Sequence, residues 1–209
     1  MTKISLHYRG PLKSGKKSNP KHKHQIRLDL HSQLAAAANG SPFGIRLFQA
    51  ADKGGFNDAA RQQLLVERPS HLYLPLCQPI SDRHLAGITK TREISNWLER
   101  HRNEPPTVEL SLIIYRSGSP GSVFNDKFDI DNRLKTLFDA LHPPQADVAL
   151  PVIPSDPDPV VCLLTDDSQI TALDISTHQL LAPANDDEVV LVLEVRTFGC
   201  GLIDRHYGA

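Results

Sequence analysis

The stretch Asp126–His142, DKFDIDNRLKTLFDALH, decides how this chain folds. Ile130, Leu134, Leu137, Phe138 and Leu141 recur at intervals of four, three, one and three, the apolar stripe of a helix packed on a core. Asp131, Lys135 and Asp139 follow at i, i+4 and i+8 on the polar side. Asp129 precedes the first regular turn, where its carboxylate either points back toward Asp131 or caps free amides. The residues alone leave both uses open. Some two dozen residues later a second acidic pair, Asp166 and Asp167, follows the apolar run Val160–Leu164.

Charge gives this set its chemical meaning. Two carboxylates held within a few ångströms repel and raise one pKa unless a cation or a proton neutralises them. Magnesium prefers oxygen ligands and keeps several waters, so two or three Asp and a substrate phosphate suffice for a site. Lys135, one turn beyond Asp131, is placed to meet phosphate oxygens as a point charge. Against this stands an ordinary surface ion pair between Asp131 and Lys135, worth about 0.3–0.5 kcal/mol. An Asp at a helix start is, taken singly, a cap or a solvated charge as readily as a ligand. The combination argues for the site more than any one member does.

The segment FDIDNRLKTLFDAL (128–141), with LLTDDSQIT (163–171), resembles the signature of the RusA-type Holliday junction resolvases, small dimeric magnesium-dependent endonucleases often encoded by prophages. The family's Asp-x-Asp-Asn run is matched by Asp129, Ile130, Asp131 and Asn132, its lysine by Lys135. Its Phe-Asp-Ala-Leu continuation is matched by Phe138–Leu141 and its acidic pair by Asp166 and Asp167. The resemblance implies metal ligation by Asp129, Asp131 and Asp167, with Lys135 assisting at the phosphate; Asp166 and Asp139 are possible additional site residues. It covers about Phe128 to Ile170, extends plausibly through the final strand, and touches the first hundred residues only in general layout. A departure lies at 142–159, a proline-rich insertion longer than the linker of the compact resolvases, which bears on junction specificity.

Length and composition bound the rest. A chain of 209 residues forms one substantial core, expected here as a single α/β (α+β) domain in which a mixed sheet packs with helices and carries N-terminal and proline-rich elaborations. No run reaches transmembrane length and the first residues lack an apolar signal core, so a cytoplasmic protein with no membrane partner is expected. Cys77, Cys162 and Cys200 are odd in number and widely spaced, which predicts buried reduced thiols rather than a disulfide framework or zinc site. The net charge of -1 hides a polarity: residues 1–30 hold eight Lys or Arg against one Asp, and residues 120–209 hold five against fifteen Asp or Glu. Such a division suits a basic segment on phosphates and an acidic region neutralised by metal. The basic loop at 10–25 carries Lys13, Lys16, Lys17, Lys21 and Lys23, with Gly15 and Pro20 expected to prevent regular structure. These lysines, with Arg116 and Lys127, are candidate DNA contacts; the alternative for the run is a solvated loop.

Along the chain, strands are expected at Ile4–Tyr8, Phe43–Gln49, Leu72–Leu76, Val108–Tyr115, Val160–Leu164, Ile170–Ser176 and Val189–Phe198, and helices at Ile26–Ala38 and Thr89–Arg102. Trp97 is assigned to core packing, and the loop Arg116–Lys127 is a candidate to close over substrate. The final strand is apolar on one face and on much of the other, as a central or well-covered strand is, with Glu194 either approaching the metal or reaching solvent at a sheet margin.

The expected reaction is hydrolysis of a DNA phosphodiester with Mg2+, or Mn2+ in its place, most simply at branched DNA such as a Holliday junction. Asp139 lies roughly 12 Å along the axis from Asp131, too far for the same ion, and is assigned to structure or dimer contacts. A homodimer is expected because a two-fold protein matches a two-fold junction. Two alternatives stand beside this: a nuclease of the same fold acting on flaps, forks or single strands, and a catalytically inactive DNA-binding relative.

Overall fold

The structure is a computed structural model, and it describes residues 2–13, 19–39, 73–77, 105–118, 130–144 and 160–200. The expected strand at 43–49, the Gly54–Gly55 turn, the helix at 89–102 with Trp97, and most of the 116–127 loop and the proline-rich insertion lie outside these residues. So do Lys16, Lys17, Lys127 and Asp129.

The described residues form a mixed α+β architecture. A four-stranded sheet has the order β1 (Thr2–Pro11), β6 (Glu188–Phe198), β3 (Thr107–Arg116) and β5 (Ile170–Gln179). β6 runs antiparallel to both neighbours, with Leu6 opposite Leu193 and Leu112 opposite the same residue on the other side. β5 lies parallel to β3, with one irregularity at its start and Leu112 opposite Ile175 beyond it. A second sheet pairs β2 (Tyr73–Cys77) with β4 (Val160–Leu164) in parallel. The final strand therefore lies between two others, the central one of the two placements its apolar pattern allows.

Alternation decides which face of the large sheet is covered. On β3 the buried positions Val108, Leu110, Leu112 and Ile114 alternate with half-buried ones, and Val189, Leu191, Leu193 and Val195 do the same on β6. Against this face pack Ile26, Leu30, Leu34 and Ala38 of helix α1 (Pro20–Asn39) and Leu137, Ala140 and Leu141 of helix α2 (Ile130–Leu141). β4 is buried along its whole length, which explains its unbroken apolar run. The opposite face of the large sheet is charged: Lys3 pairs with Glu194 at 2.8 Å and Arg196 with Glu109 at 3.6 Å. Glu194 thus projects to the face away from the helices, on the solvent side of the two uses open to it.

Two features differ from the sequence expectation. Helix α1 begins six residues earlier than expected, inside the basic run. Asn19 accepts a hydrogen bond from the His22 amide at 2.8 Å, an N-cap, and Pro20 follows in the first turn where its missing N–H costs nothing. Pro20 starts the helix rather than preventing one. The second difference is a pairing of Cys77 at the end of β2 with Cys200 just beyond β6, as a disulfide with Cα atoms 4.5 Å apart. Their sequence separation of 123 makes that proximity invisible in the sequence. Cys162 is the buried free thiol, its pKa pushed up to about 12 by burial.

Candidate metal and phosphate site

Helix α2 carries the first part of the site. Arg133, Leu134, Thr136, Leu137, Ala140 and Leu141 are buried, while Asp131, Asn132 and Lys135 are exposed. Asp131, Lys135, Phe138 and His142 recur at four, three and four residues, so they share one side of the helix. Phe138, expected within the apolar stripe, is half-buried at its border with this side.

Two arginines fix the helix at its ends. Arg133, from the first turns, enters the core, where its Nη1 donates to the Leu12 carbonyl at the end of β1 and its Nη2 meets Asp187 Oδ1 at 3.2 Å, in the loop before β6. Arg27 of α1 reaches the other end, with Nε donating to the His142 carbonyl at 3.0 Å and Nη2 to the Asp139 carbonyl at 2.8 Å. A cation at the helix C-terminus also meets the negative end of its dipole. The same guanidinium lies 5.5 Å from the centre of the Tyr73 ring. Beside it Lys23 Nζ pairs with Asp139 Oδ2 at 2.6 Å. Asp139 is therefore an ion-pair partner of α1, and the Lys23 charge is held within the molecule. Arg116 also departs from its expected place on the DNA surface: it is 2% exposed at the end of β3, with Nη1 donating to the Ser117 carbonyl. Lys13 and Lys21 remain from the basic run, Lys21 exposed and Lys13 half-buried. The Lys13 amide donates to His22 Nε2, and burial, with the Lys13 charge beside it, lowers the His22 pKa.

The second part is the turn after β4. Asp166 caps a short 3-10 turn, Asp167–Gln169, by accepting from the Ser168 amide at 2.9 Å. Hydrogen bonds from the Ser168 side chain and backbone hold its carboxyl below the usual range. Gln169 closes the box: its Oε1 accepts from the amides of Thr165 at 2.7 Å and Asp166 at 3.3 Å. Its Nε2 donates to the carbonyls of Cys77 at 2.7 Å and Pro106 at 3.2 Å, and the Thr165 hydroxyl donates to the Cys77 carbonyl at 3.2 Å. The turn is thus hung on the end of β2 by side-chain hydrogen bonds.

α2 lies against this turn. Between them opens a cavity of about 360 Å3 lined by Phe138, Asp167, Ile170, Thr171, Ala172 and Leu173. Asp167 is exposed at its rim, across from Phe138; Asp131 stands two turns N-terminal of Phe138, about 10 Å along the axis. Among the described residues no three Asp, Glu, His or Cys side chains gather into a metal-holding group, and Asp129 lies outside them. The donors that are described are exposed carboxylate oxygens, the class magnesium takes. Sequence reasoning missed Arg27, Arg133 and Gln169. Arg133 had a visible signal: an arginine on the buried side of the helix, beside Leu134 and Leu137, must find buried acceptors.

Neither protein-family models, curated proteins nor solved structures give a match to this chain. The described residues define a mixed α+β fold, and no helix among them is long and apolar enough to cross a membrane.

Proposed function

We propose that the protein is a magnesium-dependent endonuclease that hydrolyses phosphodiesters of branched DNA, foremost at four-way junctions, acting in the cytoplasm as a homodimer. The observation that carries this reading is the abutment of two elements, a helix side bearing exposed Asp131 and Lys135 and a capped turn bearing exposed Asp167. Asp129, Asp131 and Asp167 are the carboxylates assigned to Mg2+, or to Mn2+ in its place. When bound, the ion polarises the scissile phosphate and acidifies a water.

The chain's own groups do the rest. Lys135 offsets the phosphate charge from the side of α2 that carries Asp131. Asp166 is engaged by the Ser168 amide, so its contribution is to set the direction of Asp167 rather than to ligate. The clamps from Arg27 and Arg133 hold α2 against rotation and so keep Asp131 and Lys135 on the site side.

The test is strand cleavage of mobile four-way junction, fork, flap and linear duplex DNA with magnesium, comparing the unmodified protein with Asp131→Asn and Lys135→Ala. Paired symmetric cuts in the junction, reduced on the order of 100-fold or more by Asp131→Asn and less by Lys135→Ala, are expected. Cleavage of flaps or forks alone moves the assignment to another substrate. No magnesium-dependent cleavage of any of them overturns it.

A further inference from the structure

The two edges of the large sheet are built differently. β1 carries Lys3 and Arg9 on its open face and ends at Pro11, the charges and proline by which an edge strand resists pairing. β5, ITALDISTHQ, has no Lys, Arg or Pro, and threonine and isoleucine favour a strand. Among the described residues its only strand neighbour is β3. Thr171 to Asp174 are exposed although they alternate between the two faces, and Leu173 is 42% exposed. Exposure on both faces belongs to an uncovered edge, and an uncovered edge is a row of amides and carbonyls able to pair with another strand.

We propose that β5 is the dimerisation edge and that its occupant is β5 of a second copy, antiparallel about a two-fold axis at Ser176, joining two four-stranded sheets into one of eight. A two-fold perpendicular to the sheet requires registers that keep both helix-covered faces on one side, because a slip by one residue inverts the faces. Among these registers charge selects one. Asp174 and His178 share the open face, since they stand opposite Ser111 and Tyr115 on β3. Asp174 meets the Ser111 hydroxyl and His178 lies against the Tyr115 ring. Centring the pair on Ser176 sets Asp174 opposite His178 of the other copy, twice. Centring on Asp174 would oppose two carboxylates, which is unfavourable. On the covered face the same register brings Ile175 beside Thr177 of the other copy.

The consequence for activity rests on the proposed nuclease reading. Both α2 helices fall on one side of the joined sheet, with the two Ile170 positions ~40 Å apart along the strands, an arrangement suited to two cuts on a two-fold substrate.

The interface is tested without DNA or metal, so its failure leaves the proposed phosphodiester chemistry standing. Sedimentation equilibrium is expected to give twice the 23.1 kDa chain mass. Asp174→Lys, an exposed position, is expected to weaken the dimer at least 10-fold with an unchanged far-UV spectrum, and adding His178→Glu to restore it. Ser176→Cys is expected to join two chains through a short bismaleimide, whereas Ser5→Cys on β1 does not. A monomer at every concentration overturns the proposal. So does a dimer indifferent to Asp174→Lys, or one cross-linked through residue 5 rather than 176.

Discussion

The two walls of the candidate site are held by different physics. Helix α2 is fixed by burial: six of its twelve residues are buried, its own Arg133 donates to the Leu12 carbonyl, and Arg27 binds carbonyls at its C-terminal end. The turn Asp167–Gln169 has no buried residue and is fixed by a short set of polar bonds centred on Gln169. One wall therefore shares the stability of the whole molecule. The other opens locally, at a cost set by a few hydrogen bonds. Asp131 and Lys135 are therefore held in place, while Asp167 rides on the element that moves at the lower cost.

Breaking the helix wall gives the largest effect. Leu137→Ala, at a position 1% exposed, is expected to lower global stability by about 2–5 kcal/mol, read as a shift of the urea midpoint. Gln169→Leu separates the walls. It removes acceptors for two amides and a donor for two carbonyls, and is expected to cost about 1–2 kcal/mol. Its sharper signature is hydrogen exchange: the Thr165 and Asp166 amides lose protection while those of α2 keep theirs. Equal loss in both elements would mean that the walls form one cooperative unit. The smallest effect belongs to Asp166→Ala. Because the folded state depresses the Asp166 pKa, its contribution is present above the unfolded pKa and is lost as pH falls through the folded one. The variant is therefore expected to melt slightly below the unmodified protein at neutral pH and level with it in strong acid. A difference that persists there would assign the loss to something other than the ionised cap.

The same contrast governs what the sequence made legible. The helix wall was readable because burial writes a period into the chain, and Leu134, Leu137 and Leu141 carry it. Both central strands, β3 and β6, were readable for the same reason. Hydrogen-bonding partners write no period. Gln169 looks like any polar residue after an acidic pair, and its acceptors on Cys77 and Pro106 are far away in sequence. Arg27 likewise stands 112 residues from the Asp139 carbonyl that it binds. Pro20 was misjudged because proline either breaks a helix or begins one, and Asn19 before it decides which. The acidic residues stand out in the sequence; their separation into a cap, Asp166, an exposed rim residue, Asp167, and a partner for α1, Asp139, needed the structure.

The position of β6 also sets an order of events during synthesis. β1 has no strand neighbour among the described residues except β6, and the register joins Thr2 to Thr197 and Pro11 to Glu188. The paired positions stand 177 to 195 residues apart, so β1 must wait for β6 to be made before the two can pair. The sheet cannot close by growing from its beginning. β3 and β5 can meet earlier, and α1 can shelter the apolar side of β1, but β6 enters between β1 and β3 and completes the sheet from its middle. Contacts of such sequence separation slow folding and leave Leu6 and Tyr8 waiting beside unfinished chain. Insertion of β6 between β1 and β3 makes closure of the sheet a late step.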